Sequence, residues 1–124
     1  MRRIRDRRGA AVVEFALVAL LLFTLVFGMM DMGLALRSQL ALNQIAREAA
    51  RTAALGGDPE TTTDEWAGRL VLQADQIGVT TSTEGETPNL RSVVTLSYPH
   101  HWIVGGLIGL SDRNLVATMV MRKE

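Results

Sequence analysis

The chain has 124 residues, nearly half of them hydrophobic, with 13 basic and 13 acidic side chains and no cysteine. That length accommodates one domain plus an appendage, and the missing thiols exclude disulfides and thiolate metal sites. The balanced charge hides a polarity: five arginines against Asp6 give residues 1–9 a charge of +4 and leave −4 on the remainder.

Residues 1–9 therefore read as a short basic leader, and the run that follows is of another kind. From Ala10 to Met30 the sequence is AAVVEFALVALLLFTLVFGMM, with Glu14 as its one charge. These 21 residues, at about 1.5 Å rise each, cover roughly 30 Å, the thickness of a bilayer core. Leu17 to Phe27 offers no polar face beyond Thr24, so a helix there must be surrounded by apolar material on all sides. Too little chain remains to wrap it, and the segment reads as a single membrane span. The arginine cluster before the span predicts a cytoplasmic N-terminus and an external C-terminus. A cleaved secretory signal is the competing reading, with Gly33-Leu34-Ala35 as a small-x-small cleavage site. Against it, the apolar run exceeds a usual signal core and the helical pattern continues past Ala35.

Glu14 stands out because a carboxylate at the centre of a membrane helix costs about 2.5 to 3.5 kcal/mol by insertion scales, and less near the interface. It either serves a function or lies close enough to the headgroups to reach water. Asp31 closes the apolar run on the other side, and reads as a solvated interfacial residue or as a candidate subunit contact.

The helical pattern continues over residues 31–55 as a stalk. Leu42, Ile45, Ala46, Ala49, Ala50 and Ala53 fall on one stripe. Its small residues allow close approach, either of this chain's own outer part or of a neighbouring subunit. Arg47, Glu48 and Arg51 lie off the stripe, with Glu48 and Arg51 spaced to pair. Gly56-Gly57 stops the helix.

Residues 56–124 form a small outer head. Asp58-Pro59-Glu60 reads as a linker, and Thr62 with Glu65 as a capping box opening a helix over about residues 63–76. The apolar face of that helix would be Trp66, Leu70, Val71, Ala74 and Ile77, with Gly78 ending it. Strands are expected at Val79–Thr83, at Leu90–Tyr98 (ended by Pro99) and at Leu115–Arg122, with residues 84–89 as a loop. The expected class is α+β: a long transmembrane and stalk helix, a shorter helix, and an antiparallel sheet of about three strands. Trp102–Leu110, WIVGGLIGL, is far too short to span a bilayer. It either fills the head's core, as a short helix beneath the sheet, or forms an exposed apolar patch for a partner or a membrane surface.

No enzymatic constellation is visible. His100 and His101 are adjacent and would point to opposite faces of an extended segment. Asp112 is conceivable as a third metal ligand, but no HExxH motif, nucleophile elbow or phosphate loop accompanies it. The leader is the only basic cluster, and attraction to anionic lipid accounts for it. We expect no cofactor, metal, nucleic acid or small-molecule substrate.

The stretch Arg7-Arg8-Gly9-Ala10-Ala11-Val12-Val13-Glu14-Phe15 resembles the processing site of type IV prepilins. With Gly28 to Gly33, Leu42, the Ala-Arg-Glu-Ala-Ala-Arg run at 46–51 and, more loosely, Ala117-Thr118-Met119 with Arg122 and Glu124, it resembles the TadE-like minor pilins (pseudopilins) of the tight-adherence pilus. That resemblance implies cleavage between Gly9 and Ala10 by a membrane prepilin peptidase, with Glu14 and Phe15 serving recognition and assembly. It implies as partners other pilins, assembly-platform proteins and inner-membrane lipid, and a role in pilus assembly, adherence and biofilm formation. Length and Phe15 favour a minor over a major pilin. Many relatives carry a proline near Ala19 or Leu20, and none is present here. The alternatives are an uncleaved anchored accessory protein with a binding or sensing head, and a soluble head released near Ala35.

Overall fold

The computed structural model of the chain describes residues 3–123. Met1 and Arg2 of the expected leader, and Glu124 of the last-strand pattern, lie outside the described residues. The first helix, α1 (Arg3–Ala54), runs unbroken for 52 residues, so the expected leader from Arg3 on, the expected span and the expected stalk lie on one continuous helix. No proline interrupts it, and its interior glycines meet no neighbouring atoms. Its end follows the chemistry of Gly56, which takes φ +81°. Gly57 N–H donates to the Thr52 carbonyl at 2.9 Å and Gly56 N–H to Ala53 at 3.2 Å. That pair of bonds is the Schellman closure, which requires a left-handed residue where glycine has no side chain to clash.

The second helix, α2 (Pro59–Arg69), begins four residues before the expected start. Asp58 caps it, its carboxylate accepting from the Glu60 and Thr61 N–H groups, and Pro59 sits in the first turn where its missing N–H costs nothing. The segment expected as a linker is thus the cap, and the Thr62–Glu65 box is not formed. Thr62 and Thr63 instead send their hydroxyls to the Asp58 and Pro59 carbonyls. The helix ends at Arg69, and a 3-10 turn at Ala74–Gln76 follows instead of a continuous helix to 76. Ala67 and Ile77 are buried, whereas Val71, expected on the apolar face, is 77% exposed.

Strands β1 (Gly78–Glu84), β2 (Arg91–His100) and β3 (Arg113–Arg122) form an antiparallel sheet in that order, so the fold is α+β. Pro99 does not end β2, which continues to His100. There β2 pairs with β3 only, because β1 begins at Gly78 opposite Ser97. A strand unpaired on one side tolerates a residue without an N–H.

The core lies between the upper half of α1, α2 and one face of the sheet. Leu42, Ile45, Ala46, Ala49, Ala50 and Ala53 meet Ala67, Ile77, Val94, Leu96 and Ala117. The small-residue stripe therefore packs on the chain's own head. Alanines let the sheet approach the helix closely, and Leu42 and Ile45 fill the space between. Glu48 and Arg51 form no ion pair among the described residues, where the one recorded links His101 and Asp112.

Candidate functional site

The lower part of α1 takes no part in that core. It is one helix long and apolar enough to cross a membrane, and none of its most apolar window is buried by the rest of the chain. Phe15, Leu17, Leu20, Leu21 and Phe23 are each more than half exposed. A helix left largely exposed by the rest of the chain and apolar on every side suits hydrocarbon as its solvent.

Gly9, Ala10, Glu14 and Phe15 all lie on this bare stretch and are all exposed. The Gly9–Ala10 bond is inside the helix, with nothing within 4 Å of where a Gly9 side chain would begin. Glu14 is a little more than one turn above Ala10, so the two lie near the same face. No side-chain hydrogen bond or ion pair among the described residues involves Glu14.

Asp31, at the upper end of the apolar run, is placed differently from either expectation. It is 3% exposed, so it is neither solvated nor displayed toward another subunit. Its carboxylate accepts three backbone N–H groups from the far end of the chain: Ile103 at 3.1 Å, Val104 at 2.8 Å and Gly105 at 3.2 Å. Charge-assisted bonds to successive amides satisfy a buried carboxylate without a cation. The three amides converge because the segment turns into a short 3-10 helix at Gly105–Ile108. Gly105 is needed for that turn, since a Cβ there would come within 2.7 Å of the Trp102 Cβ. The apolar stretch therefore does not fill the core. Its backbone is clamped to α1 while Ile103 and Leu110 stay 62% and 52% exposed.

The paired histidines separate as their alternation predicts. His100 is buried, edge-on to Trp102 with ring centroids 4.9 Å apart, and its Nε2 has no hydrogen-bond partner among the described residues. His101 is exposed, and its Nδ1 lies 2.7 Å from Asp112 Oδ2. That hydrogen bond is the main reason the Asp112 carboxyl is held below its ordinary range. His100 is turned away from the pair, and among the described residues no group of three or more His, Asp or Glu is arranged to hold a metal ion.

Most of α1, from Gly9 through Glu14 and Asp31 to the alanine stripe, is the part of the chain that a family comparison recognises. Residues 9–51 match the model of the TadE-like protein family. No curated protein and no solved structure matches the chain. The TadE-like segment begins at Gly9, takes in Glu14 and Asp31, and runs through the alanine stripe to Arg51. It thus contains the candidate span and the helical side of the core. The amides that hold Asp31 lie outside the TadE-like segment, at residues 103–105. Sequence reasoning missed this clamp. The available signal was an aspartate bordering a span, together with a Gly-Gly pair whose amides no regular strand would use.

Proposed function

We propose that the chain is a minor pilin of a tight-adherence pilus, processed by a prepilin peptidase and acting through assembly rather than catalysis. The observation that carries this reading is the TadE-like segment starting at Gly9, with Glu14 five residues on, exposed on a helix that suits lipid. The basic leader would stay in the cytoplasm, the head would lie outside, and cleavage after Gly9 would leave the anchor in the product. Glycine inside a helix costs about 1 kcal/mol relative to alanine, which favours local unwinding of the scissile bond in a protease cleft. The α-amine created at Ala10 is a cation, and Glu14 of one subunit pairing with that amine in a neighbour would remove two isolated charges from lipid. Pilin neighbours, the assembly platform and a part in adherence and biofilm formation follow from the same reading.

The deciding experiment is the intact mass and N-terminal sequence of the membrane-extracted protein, expressed with and without its cognate prepilin peptidase. A peptidase-dependent terminus at Ala10 is expected. Glu14→Ala should still be cleaved but fail to enter pili. A terminus at Met1 under both conditions would overturn the reading, leaving an uncleaved anchor with its function in the head.

A further inference from the structure

The connection between β2 and β3 is more apolar than a link between two strands requires, and Asp31 fixes its height on α1. A cleft of about 220 Å³ separates the two, lined by Thr24, Gly28 and Met32 on the helix and by Trp102, Val104 and Leu110 on the connection, with Asp31 and Gly105 also at its wall, where the carboxylate oxygens are taken up by the 103–105 amides. Thr24 and Gly28 belong to the run that reads as the membrane span. At 1.5 Å rise per residue, Thr24 lies about 10 Å below Asp31 along the helix. A bilayer deep enough to take up Thr24 and Gly28 therefore takes up whatever shares their level. The Thr24 hydroxyl is no polar obstacle, because it donates to the Leu20 carbonyl at 2.8 Å.

The exposed side chains agree with that depth. Ile103 and Leu110 are both more than half exposed, Leu110 at the wall of the cleft, and Trp102 is half-buried beside them. Indole rings favour the boundary between headgroups and acyl chains. The flanks of the stretch are polar: His101 and Asp112, both mostly exposed, join across its base. The clamp satisfies three amides that would otherwise enter a region poor in water.

We infer that residues 102–110 form an interfacial wedge, seated in the acyl-chain boundary of the leaflet on the head's side. Lipid fills the cleft against α1, and the head rests on the bilayer at a fixed height and tilt. The inference rests on the reading of α1 as a membrane span, and the experiment separates the two.

The test is depth-dependent quenching in the full-length protein, reconstituted in vesicles of phosphatidylcholine and phosphatidylglycerol. Trp66→Phe leaves Trp102 as the single indole, since the chain contains two tryptophans. Its emission should be blue-shifted, quenched strongly by lipid brominated near the headgroup, weakly by lipid brominated deep in the chain, and little by aqueous iodide. Quenching by iodide but by neither lipid would overturn the inference. Shielding from iodide and from both lipids would also overturn it, in favour of a protein copy covering the stretch. A Phe23→Trp reporter, carried with Trp66→Phe and Trp102→Phe, tests the span itself. If deep bromolipid fails to quench it, the span reading and the inference fall together, whereas a quenched reporter beside an unquenched Trp102 overturns the inference alone. Should Trp66→Phe disturb folding, Leu110→Cys provides a unique thiol on an exposed position. Its spin label should be relaxed more by oxygen than by an aqueous nickel chelate, and the reverse order would overturn the inference.

Discussion

Asp31 shows how one side chain connects parts of the chain that are distant in sequence. Its two oxygens take three amides from residues 103–105. Asparagine in its place keeps one acceptor oxygen and presents an NH₂ group to a region of donors. Asp31→Asn should therefore loosen the 103–105 turn, raising amide exchange there about tenfold or more while the sheet amides stay protected, as hydrogen–deuterium exchange would report. Asp58 gives a second residue-scale prediction, in pH. The Thr61 hydroxyl, and then the Glu60 and Thr61 amides, hold its carboxyl below the ordinary 3.8. A depressed native pKa means that the ionised cap contributes its full stability above pH 3.8 and loses it as pH falls through the lower native value. Asp58→Asn should remove that acid-side dependence from the head's unfolding curve, measured by circular dichroism between neutral pH and pH ~2.

The two helices make a controlled comparison at the scale of an element. Both end at a left-handed residue bridged by one long backbone bond, α1 with Gly57 N–H on the Thr52 carbonyl and α2 with Leu72 N–H on the Ala67 carbonyl at 3.0 Å. The left-handed position is Gly56 in α1 but Val71 in α2, where φ is +60°. A β-branched residue pays a steric penalty in that conformation, and the valine side chain offsets little because it is 77% exposed. Val71→Gly should stabilise the head by about 0.5–1 kcal/mol, after allowing for glycine's greater freedom in the unfolded chain. Chemical denaturation followed by Trp66 fluorescence would show it as a higher midpoint at unchanged slope. The same strain explains why the sequence pattern overran: Trp66, Leu70, Val71, Ala74 and Ile77 keep an apolar helical spacing, yet the chain turns at Val71 and reaches the core again through Ile77.

At the scale of the whole molecule, α1 serves two surroundings with one continuous backbone. Residues 10–30 meet none of the core, whereas the stripe from Leu42 to Ala53 is its helical wall. Removing residues 1–30 should therefore leave a water-soluble head with its helix and sheet signals intact, while the membrane-bound fraction is lost. Far-UV circular dichroism and flotation on vesicles would measure the two outcomes separately. Loss of sheet structure on truncation would show that the lower helix also supports the head. Asp31 remains in that fragment, so the 103–105 clamp has its acceptor.

Local chemistry determined much of this protein before any tertiary contact was considered. A bare apolar run, its arginine flank, the alanine stripe, Gly56-Gly57 and the alternating β-branched segments each specify an element through periodicity or turn chemistry that lies within a few residues. The reading of Gly9, Ala10, Glu14 and Phe15 likewise came from neighbouring residues and from a family resemblance, which the TadE-like match supports over residues 9–51. Tertiary structure decided what two distant segments do to each other. It set the stripe against the chain's own sheet, allowed Pro99 within β2 because β1 stops short of it, and drew Asp31 under the amides of 103–105. An aspartate does not announce in sequence whether water or a folded loop will satisfy it, because the donors that decide the matter are 72 to 74 residues away.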